Sequence, residues 1–353
     1  MSKVALISGA RGQDASYLSD FLLDKGYEVV AFERRISSPD YCNIEHILNH
    51  PRYHLVQGDI TDHASIVELL KTYEPDEFYN LAAQSFVGAS WKQSLATCNV
   101  NFMGVANCLE AIRLEAPQTR FFQASTSEVY GDVLGDIQDE DTPARPCSPY
   151  GASKHGAESL LKSWRDSYGL YACFARSFNH ESVRRDKKFV TRKITSNIGA
   201  MWHKAVGPIC DFDSFLKNNK DSIQERFDKA LESGKISPIP LGNMEARRDW
   251  SHAKDVVRGM WLMLQQDSPK DYVLSSGATH SISDFLGFAF GVIGVRDWKK
   301  FAVVNPEFYR PADVNLLCGD SSRIRKELGW SPQYTLSDLV EEMVIHDIRS
   351  ECI

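Results

Sequence analysis

The chain has no apolar run long enough to cross a bilayer and no basic segment leading into a cleavable apolar stretch. It is therefore expected neither to span a membrane nor to be exported. Eight cysteines are scattered along the sequence, and none of the intervals between them is C-x-x-C. The ten histidines form no H-E-x-x-H or comparable cluster, so no metal site is expected. Free, mostly buried thiols in a reducing, cytoplasmic compartment are the simplest reading of this cysteine usage. An excess of positive charge is also lacking: the formal net charge of -7 argues against nucleic acid as the main partner. There is no internal repeat and no low-complexity segment.

What is present begins at residue 4. Val4-Ala5-Leu6-Ile7-Ser8 is a short apolar run ending in Gly9-Ala10-Arg11-Gly12-Gln13-Asp14-Ala15, and Tyr17, Leu18, Phe21 and Leu22 then recur on one helical face. Strand, glycine turn and helix in this order bring backbone N–H groups close to a pyrophosphate, which predicts dinucleotide binding. Ala15 stands where such turns often carry a third glycine and still permits close helix packing. The next strand, Tyr27 to Phe32, ends in Glu33-Arg34-Arg35. A carboxylate there suits the ribose of NAD, whereas neighbouring arginines suit the extra phosphate of NADP. Both signals occur, and the paired arginines favour NADP over NAD.

Strands and helices alternate through the first half. Strands are expected at Tyr53–Val56, Glu77–Ala83, Phe121–Ser125 and Leu170–Arg176; helices are expected at Ser65–Tyr73, Ser94–Glu115 and from Tyr150 to about Gly169. This predicts an α/β fold, a Rossmann-type doubly wound parallel sheet with a smaller C-terminal α/β substrate domain. The expected partition assigns residues 1–178 and about 241–277 to the first domain and 179–240 plus 278–353 to the second. A polar, helix-prone stretch at about 202–235 reads as an insertion, an excursion from the domain.

Two short segments carry the chemistry. Of thirteen tyrosines, only Tyr150 has a lysine four residues on. In a helix Lys154 then lies beside the phenol and favours its ionised form, which makes Tyr150 a candidate proton shuttle. Ser125-Thr126-Ser127-Glu128 follows the end of a hydrophobic strand, where open α/β sheets place ligands, and makes Glu128 a candidate second base. Farther on, Arg184, Arg185, Lys187, Lys188, Arg192 and Lys193 crowd together, a pattern that suits a phosphate-rich small ligand or a salt-bridged face.

The glycine turn, Gly58-Asp59-Ile60-Thr61-Asp62, Tyr79-Asn80-Leu81-Ala82-Ala83-Gln84-Ser85, the Thr-x-Glu and the Tyr-x-x-x-Lys together resemble the extended short-chain dehydrogenases/reductases that act on nucleotide sugars. Phe178-Asn179-His180-Glu181-Ser182, Phe189-Val190-Thr191-Arg192-Lys193, Leu241-Gly242-Asn243, Arg248-Asp249-Trp250 and Arg310-Pro311-Ala312-Asp313 narrow the likeness to the branch that dehydrates GDP-sugars. The resemblance implies that Gly9, Arg11, Gly12, Gln13 and Asp14 line the cofactor pyrophosphate and that Arg34 and Arg35 approach the adenosine phosphate. It further implies that Asp59 and Ile60 border the adenine, that Leu81, Ala82, Ala83 and Ser85 flank the cofactor, and that Lys154, His180 and Arg185 contact it. Ser85, Asn179, Val190, Lys193, Arg248, Arg310 and Asp313 fall on positions implied to hold the substrate.

The implied reaction is a 4,6-dehydration with GDP-mannose as the expected substrate. Tyr150 takes the C4 hydroxyl proton, Lys154 stabilises the phenolate, Thr126 bonds the C4 oxygen and Glu128 removes the C5 proton. The nicotinamide accepts hydride from C4 and returns it to C6. Another NDP-sugar such as a GDP-heptose, or a C4 epimerase or reductase reaction, is the alternative. Val183 and Asp186 replace a usual proline and glycine beside the expected substrate pocket, and the stretch from Lys193 to Leu241 is longer than the family's. The family also implies a homodimer or homotetramer.

Overall fold

The computed structural model describes residues 2–131, 137–208, 212–309, 314 and 316–350, which divide into two compact units. The first comprises residues 1–180, 253–277 and 317–332; the second comprises 181–252, 278–316 and 333–353.

In the first unit, strands β1 (Val4–Ser8), β2 (Glu28–Glu33), β3 (Tyr53–Gln57), β4 (Glu77–Asn80), β5 (Arg120–Ala124) and β6 (Ala172–Ser177) join a short strand at Tyr272–Leu274 in one seven-stranded sheet. From one edge the order is Tyr272–Leu274, β6, β5, β4, β1, β2, β3, with every adjacent pair parallel. This is the doubly wound sheet expected from the alternation. Its strands are apolar on both faces because both are covered. Ala5 and Ile7 of β1 face a core completed by Leu18 and Leu22 of α1 (Gln13–Asp24) and by Val256 and Met260 of the helix Ala253–Leu264. Leu6, between them, faces Ile66 and Leu69 of α2 (His63–Tyr73) and Leu109 of the helix Gly104–Glu115.

Several expected boundaries shift. The strand expected to reach Ala83 ends at Asn80, because the backbone N–H groups of Leu81 and Ala82 turn to the Ser8 hydroxyl, each at 2.9 Å. The helix expected over Ser94–Glu115 is interrupted by a π-helical segment at Asn99–Met103. That segment places buried Asn101 to bond both backbone groups of Gln84, accepting from its N–H at 2.9 Å and donating to its carbonyl at 3.1 Å.

The second unit contains the helices Val190–Ala205, Phe212–Glu232, Ile282–Val292 and Leu336–Ser350, with a parallel strand pair at Ile239–Leu241 and Ala302–Val304 and an antiparallel pair at Arg247–His252 and Thr279–Ser281. Within the stretch expected as an insertion at 202–235, the helix Phe212–Glu232 contributes to this unit's core. Phe212, Ile223, Phe227 and Ala230 line one face of their helix and are buried in the unit's core, while the charged residues between them give the segment its polar composition. The partition also differs from the expected one in residues 179–180, which stay with the first unit, and in residues 241–252 and 317–332. Residues 241–252 join the second unit because Arg247, Arg248 and Asp249 pair with Ser281, His280 and Thr279. Residues 317–332 return to the first unit, where Trp330 donates to the Asp255 carbonyl at 2.8 Å.

Among the described cysteines, only Cys108 and Cys173 are fully buried; Cys42 is exposed and Cys98, Cys147 and Cys318 are intermediate, so the mostly buried set expected from composition is not what the fold makes. Among the described residues, no helix is long and apolar enough to cross a membrane.

Candidate active site

The strand order reverses between β1 and β4, so the sheet's crest opens there, at the ends of the strands that carry Ser8 and Asn80. A fully buried polar row crosses this crest: the Ser8 hydroxyl donates to Asn80 Oδ1 at 2.6 Å, and Asn80 Nδ2 donates to Gln123 Oε1 at 2.7 Å. Sequence reading missed this row, although three polar residues at the ends of apolar strands were its available signal.

Gly9 follows β1 with φ +76°, a left-handed conformation that favours glycine, and a Cβ there would stand 3.1 Å from the Ala82 nitrogen. Gly12 caps α1 without a side-chain bond. Such a turn fits a dinucleotide pyrophosphate, the group expected from the sequence. Asp14, in the first turn of α1, lies 2.9 Å from His180 Nε2, and Gln13 Nε2 donates to the His180 carbonyl at 3.1 Å. His180 Nδ1 is in turn 2.7 Å from the Phe178 carbonyl, so both ring nitrogens face oxygens. Asp59 accepts from the N–H and hydroxyl of Thr61 at 2.9 and 2.8 Å, and buried Ile60 follows it. Leu81, Ala82 and Ala83 are half-buried at the crest and Ser85 is exposed.

At the end of β2, Glu33 is engaged by Arg11 of the glycine turn through an ion pair. Arg34 and Arg35 are exposed and make no hydrogen bond or ion pair with any described residue. The carboxylate that the sequence left in competition with two arginines is thus already neutralised by a third.

The candidate acid/base residues lie on two neighbouring elements. Thr126, just past β5, caps a single 3₁₀ turn, Ser127–Val129; its hydroxyl accepts from the Glu128 N–H at 3.2 Å. Thr126 is buried and Glu128 half-buried. Ser148 caps the helix Pro149–Tyr168 by accepting from the Gly151 N–H at 3.0 Å, and proline at the first position preorganises the start. Gly169, at φ +68°, closes the other end. Capping therefore puts Tyr150 in the first turn and Lys154 one turn later on the same face, both buried. Gly151 lets this helix meet the Glu128 turn: a Cβ there would come within 2.6 Å of the Glu128 carbonyl oxygen.

Lys154 Nζ donates to the Ala124 carbonyl at 2.8 Å. Burial pushes this ammonium down to about 8, against the opposing pull of the Asp14 and Glu158 carboxylates. An amine titrating there beside a tyrosine is suited to proton transfer near neutral pH.

In the second unit Lys193 Nζ donates to the Pro240 carbonyl at 2.6 Å and lies 3.5 Å from the centre of the Phe308 ring; burial lowers its pKa. Val190 begins its helix, and Arg248 is buried with a 2.9 Å bond to the Arg247 carbonyl. Asn179 lies on the short strand Asn179–Glu181. Arg185 stacks on Phe189 at 3.6 Å and pairs with Glu181 at 3.2 Å. The crowded basic residues are not one phosphate cluster, because Arg192 is buried in an ion pair with Asp347. Val183 packs against the second unit's core. Arg310 and Asp313 lie outside the described residues.

The model of the GDP-mannose 4,6 dehydratase family matches residues 6–207 and 224–343, and the unmatched residues 208–223 fall inside the stretch expected as an insertion. The chain is 40% identical to GDP-mannose 4,6 dehydratase of Drosophila melanogaster, over 98% of this chain and 86% of that one. It is 38% identical to GDP-mannose 4,6-dehydratase of Vibrio cholerae (99% and 95%) and 37% identical to the human enzyme of that name (98% and 91%). In fold it is similar to UDP-glucose 4-epimerase of Thermotoga maritima, with a TM-score of 0.81 at 20% identity, covering 99% of this chain and all of that one. It is also similar to dTDP-glucose 4,6-dehydratase of Bacillus anthracis in complex with NAD (0.78, 20%; 98% and 96%) and to RMD of Pseudomonas aeruginosa complexed with NADPH (0.73, 20%; 99% and 100%).

Proposed function

The chain belongs to the GDP-mannose 4,6-dehydratase family, and from that premise we propose that it converts GDP-mannose to GDP-4-dehydro-6-deoxy-mannose with NADP as its resident cofactor. The observation that carries the reading is the seating of the Thr126–Glu128 turn against the helix of Tyr150 and Lys154 at Gly151. One element supplies a base for a hydroxyl proton, and the other supplies a second base for a carbon acid.

Gly9, Gly12, Gln13 and Asp14 would hold the cofactor's pyrophosphate, Asp59 and Ile60 its adenine, and Leu81, Ala82, Ala83, Ser85 and His180 its remaining length. Arg185 is proposed as a further contact. The preference for NADP rests on charge: Glu33 is committed to Arg11, and beside it stand the guanidiniums of Arg34 and Arg35, which pair with no described residue, an arrangement suited to a phosphate. When bound, the nicotinamide supplies a hydride acceptor for C4 and returns the same hydride to C6.

The protein's residues move the protons. Tyr150 takes the C4 hydroxyl proton at its phenolate oxygen while the Lys154 ammonium holds that charge. Thr126 donates to the C4 oxygen. The resulting ketone acidifies C5; Glu128 removes the C5 proton and gives it to the departing C6 hydroxyl, which leaves as water, and Tyr150 returns its proton to C5 as C6 is reduced. Asn179, Ser85 and, in the second unit, Val190, Lys193 and Arg248 are proposed to hold the nucleotide part of the substrate, with Arg310 and Asp313 as further positions carried by the family motif.

Incubation with GDP-mannose and catalytic NADP, followed by mass spectrometry, tests the reading. Loss of one water without net cofactor reduction supports it. Isomerisation without loss of mass, or stoichiometric cofactor consumption, would replace it with an epimerase or reductase.

A further inference from the structure

Beneath the candidate catalytic turn lies a charge cluster to which the dehydration chemistry assigns no part. Glu158 sits one turn beyond Lys154 on the same helix face and is almost wholly inaccessible. Its Oε1 accepts from the Ser125 hydroxyl at 2.5 Å and from Arg176 Nε at 3.1 Å; its Oε2 accepts from Arg176 Nη2 at 3.0 Å. His155 Nδ1 lies 3.3 Å from Oε2. Arg176, on β6, is itself buried between the rings of Tyr130 and Phe174, and its Nη1 donates to the Thr142 carbonyl at 3.3 Å. Ser125 is the residue immediately before Thr126. One carboxylate therefore joins β6, the Tyr150 helix and the segment that sets Thr126 and Glu128.

A buried ion pair is weak evidence for stability, since an apolar pair of similar volume often serves as well. What it supplies here is direction: a hydrogen bond to the Ser125 hydroxyl just past the end of β5, and a fixed negative charge one helical turn beyond Lys154. We propose that Glu158, clamped by Arg176, is a positioning residue for the reaction, holding Ser125 so that Thr126 and Glu128 keep their places and setting the field at Lys154.

The charges acting on Lys154 are those of Asp14 from α1 and Glu158 from its own helix, and Tyr150 lies on the preceding turn of that helix. Those facing Glu158 are Arg176 from β6, Ser125 and Tyr130 from the segment after β5, and His155 from its own helix. Burial pushes the Glu158 carboxyl up, and bonds from His155, Arg176 and Ser125 more than offset this, leaving it below the usual carboxylate range. It is thus charged when Lys154 titrates. Glu158→Gln removes that charge and leaves Arg176 behind, so Lys154 should lose its proton at lower pH. Arg176→Gln should act in the opposite sense, the double variant should return toward the parent, and Ser125→Ala should leave this titration in place.

The proposal rests on the dehydratase reading, and two measurements keep them separable. The titration of Lys154 is followed by NMR in lysine-labelled protein, its resonance identified by its absence from Lys154→Met; this needs no substrate. Opposite displacements in Glu158→Gln and Arg176→Gln, cancelling in the double variant, support the field role. Unmoved midpoints, or displacements in the same direction, overturn it. Turnover of GDP-mannose then tests positioning: Glu158→Gln and Ser125→Ala should each lower kcat by about 10- to 100-fold with KM nearly unchanged, as for a misplaced catalytic group. The alkaline limb of the pH profile should move down only in Glu158→Gln. An unaltered kcat in both folded variants overturns the positioning role. Absence of turnover in the parent protein would instead count against the dehydratase reading while the titration still decides the field.

Discussion

The ammonium of Lys154 donates to the carbonyl oxygen of Ala124, the last residue of β5, at 2.8 Å. The bond ties the second turn of the Tyr150 helix to the strand that delivers Thr126 and Glu128. It only partly repays the removal of a charge from water, which is why this lysine titrates near 8.

A pH dependence of stability follows. The folded-state pKa of about 8 lies below the ordinary 10.5, so between these values the unfolded chain binds more protons and stability rises with pH. Below pH 8 the ammonium is present in both states and the full cost of burying it is carried. Relative to Lys154→Met, the parent protein should therefore gain on the order of 3 kcal/mol from pH 8 to above pH 10. Paired urea unfolding curves at the two ends check this, and a constant difference would refute it.

Glu128→Gln keeps the hydrogen bond from its N–H to Thr126 but removes the proposed base for C5. Turnover should fall by about 10²- to 10⁴-fold while NADPH binds as before. Exchange of the C5 proton with deuterated solvent should disappear along with turnover. Its persistence would assign the C5 proton to another group.

Gly151→Ala adds a single methyl within 2.6 Å of the Glu128 carbonyl oxygen, so the helix and the candidate catalytic turn must separate. Activity should fall by about 100-fold, more than the loss of folding stability accounts for. Parallel measurement of kcat and thermal unfolding distinguishes this from a general packing defect, in which the two would decline together.

Arg11→Ala should free the Glu33 carboxylate to repel a phosphate and accept from a ribose. NADPH affinity is expected to weaken by at least about tenfold, NADH affinity to hold or improve, and Glu33→Ala added to Arg11→Ala to recover part of the NADPH affinity. Quenching of intrinsic fluorescence by each nucleotide measures these affinities in the parent and both variants without turnover. Equal losses for the two nucleotides would show that Arg11 serves the shared pyrophosphate instead.

By itself, the sequence determined the features that depend on neighbours along the chain. Alternating apolar stretches specified the strands and helices of the parallel sheet, the Gly9–Gly12 turn specified the opening of α1, and Ser148-Pro149 with Gly169 specified where the Tyr150 helix begins and ends. Those local signals were enough to put Tyr150 and Lys154 on one face and Glu128 beyond a strand end. Only the tertiary structure decided which charges neutralise one another. Arg11 meets Glu33, Arg176 meets Glu158 and Arg192 meets Asp347, pairs whose members come together only when strands and helices pack. It also decided that the polar stretch Phe212–Glu232 belongs to a core and that residues 317–332 return to the first unit. The physical reason is the same throughout: periodicity and capping are written in intervals of a few residues, whereas the partner of a buried charge is chosen by the three-dimensional crossing of elements, which no local spacing encodes.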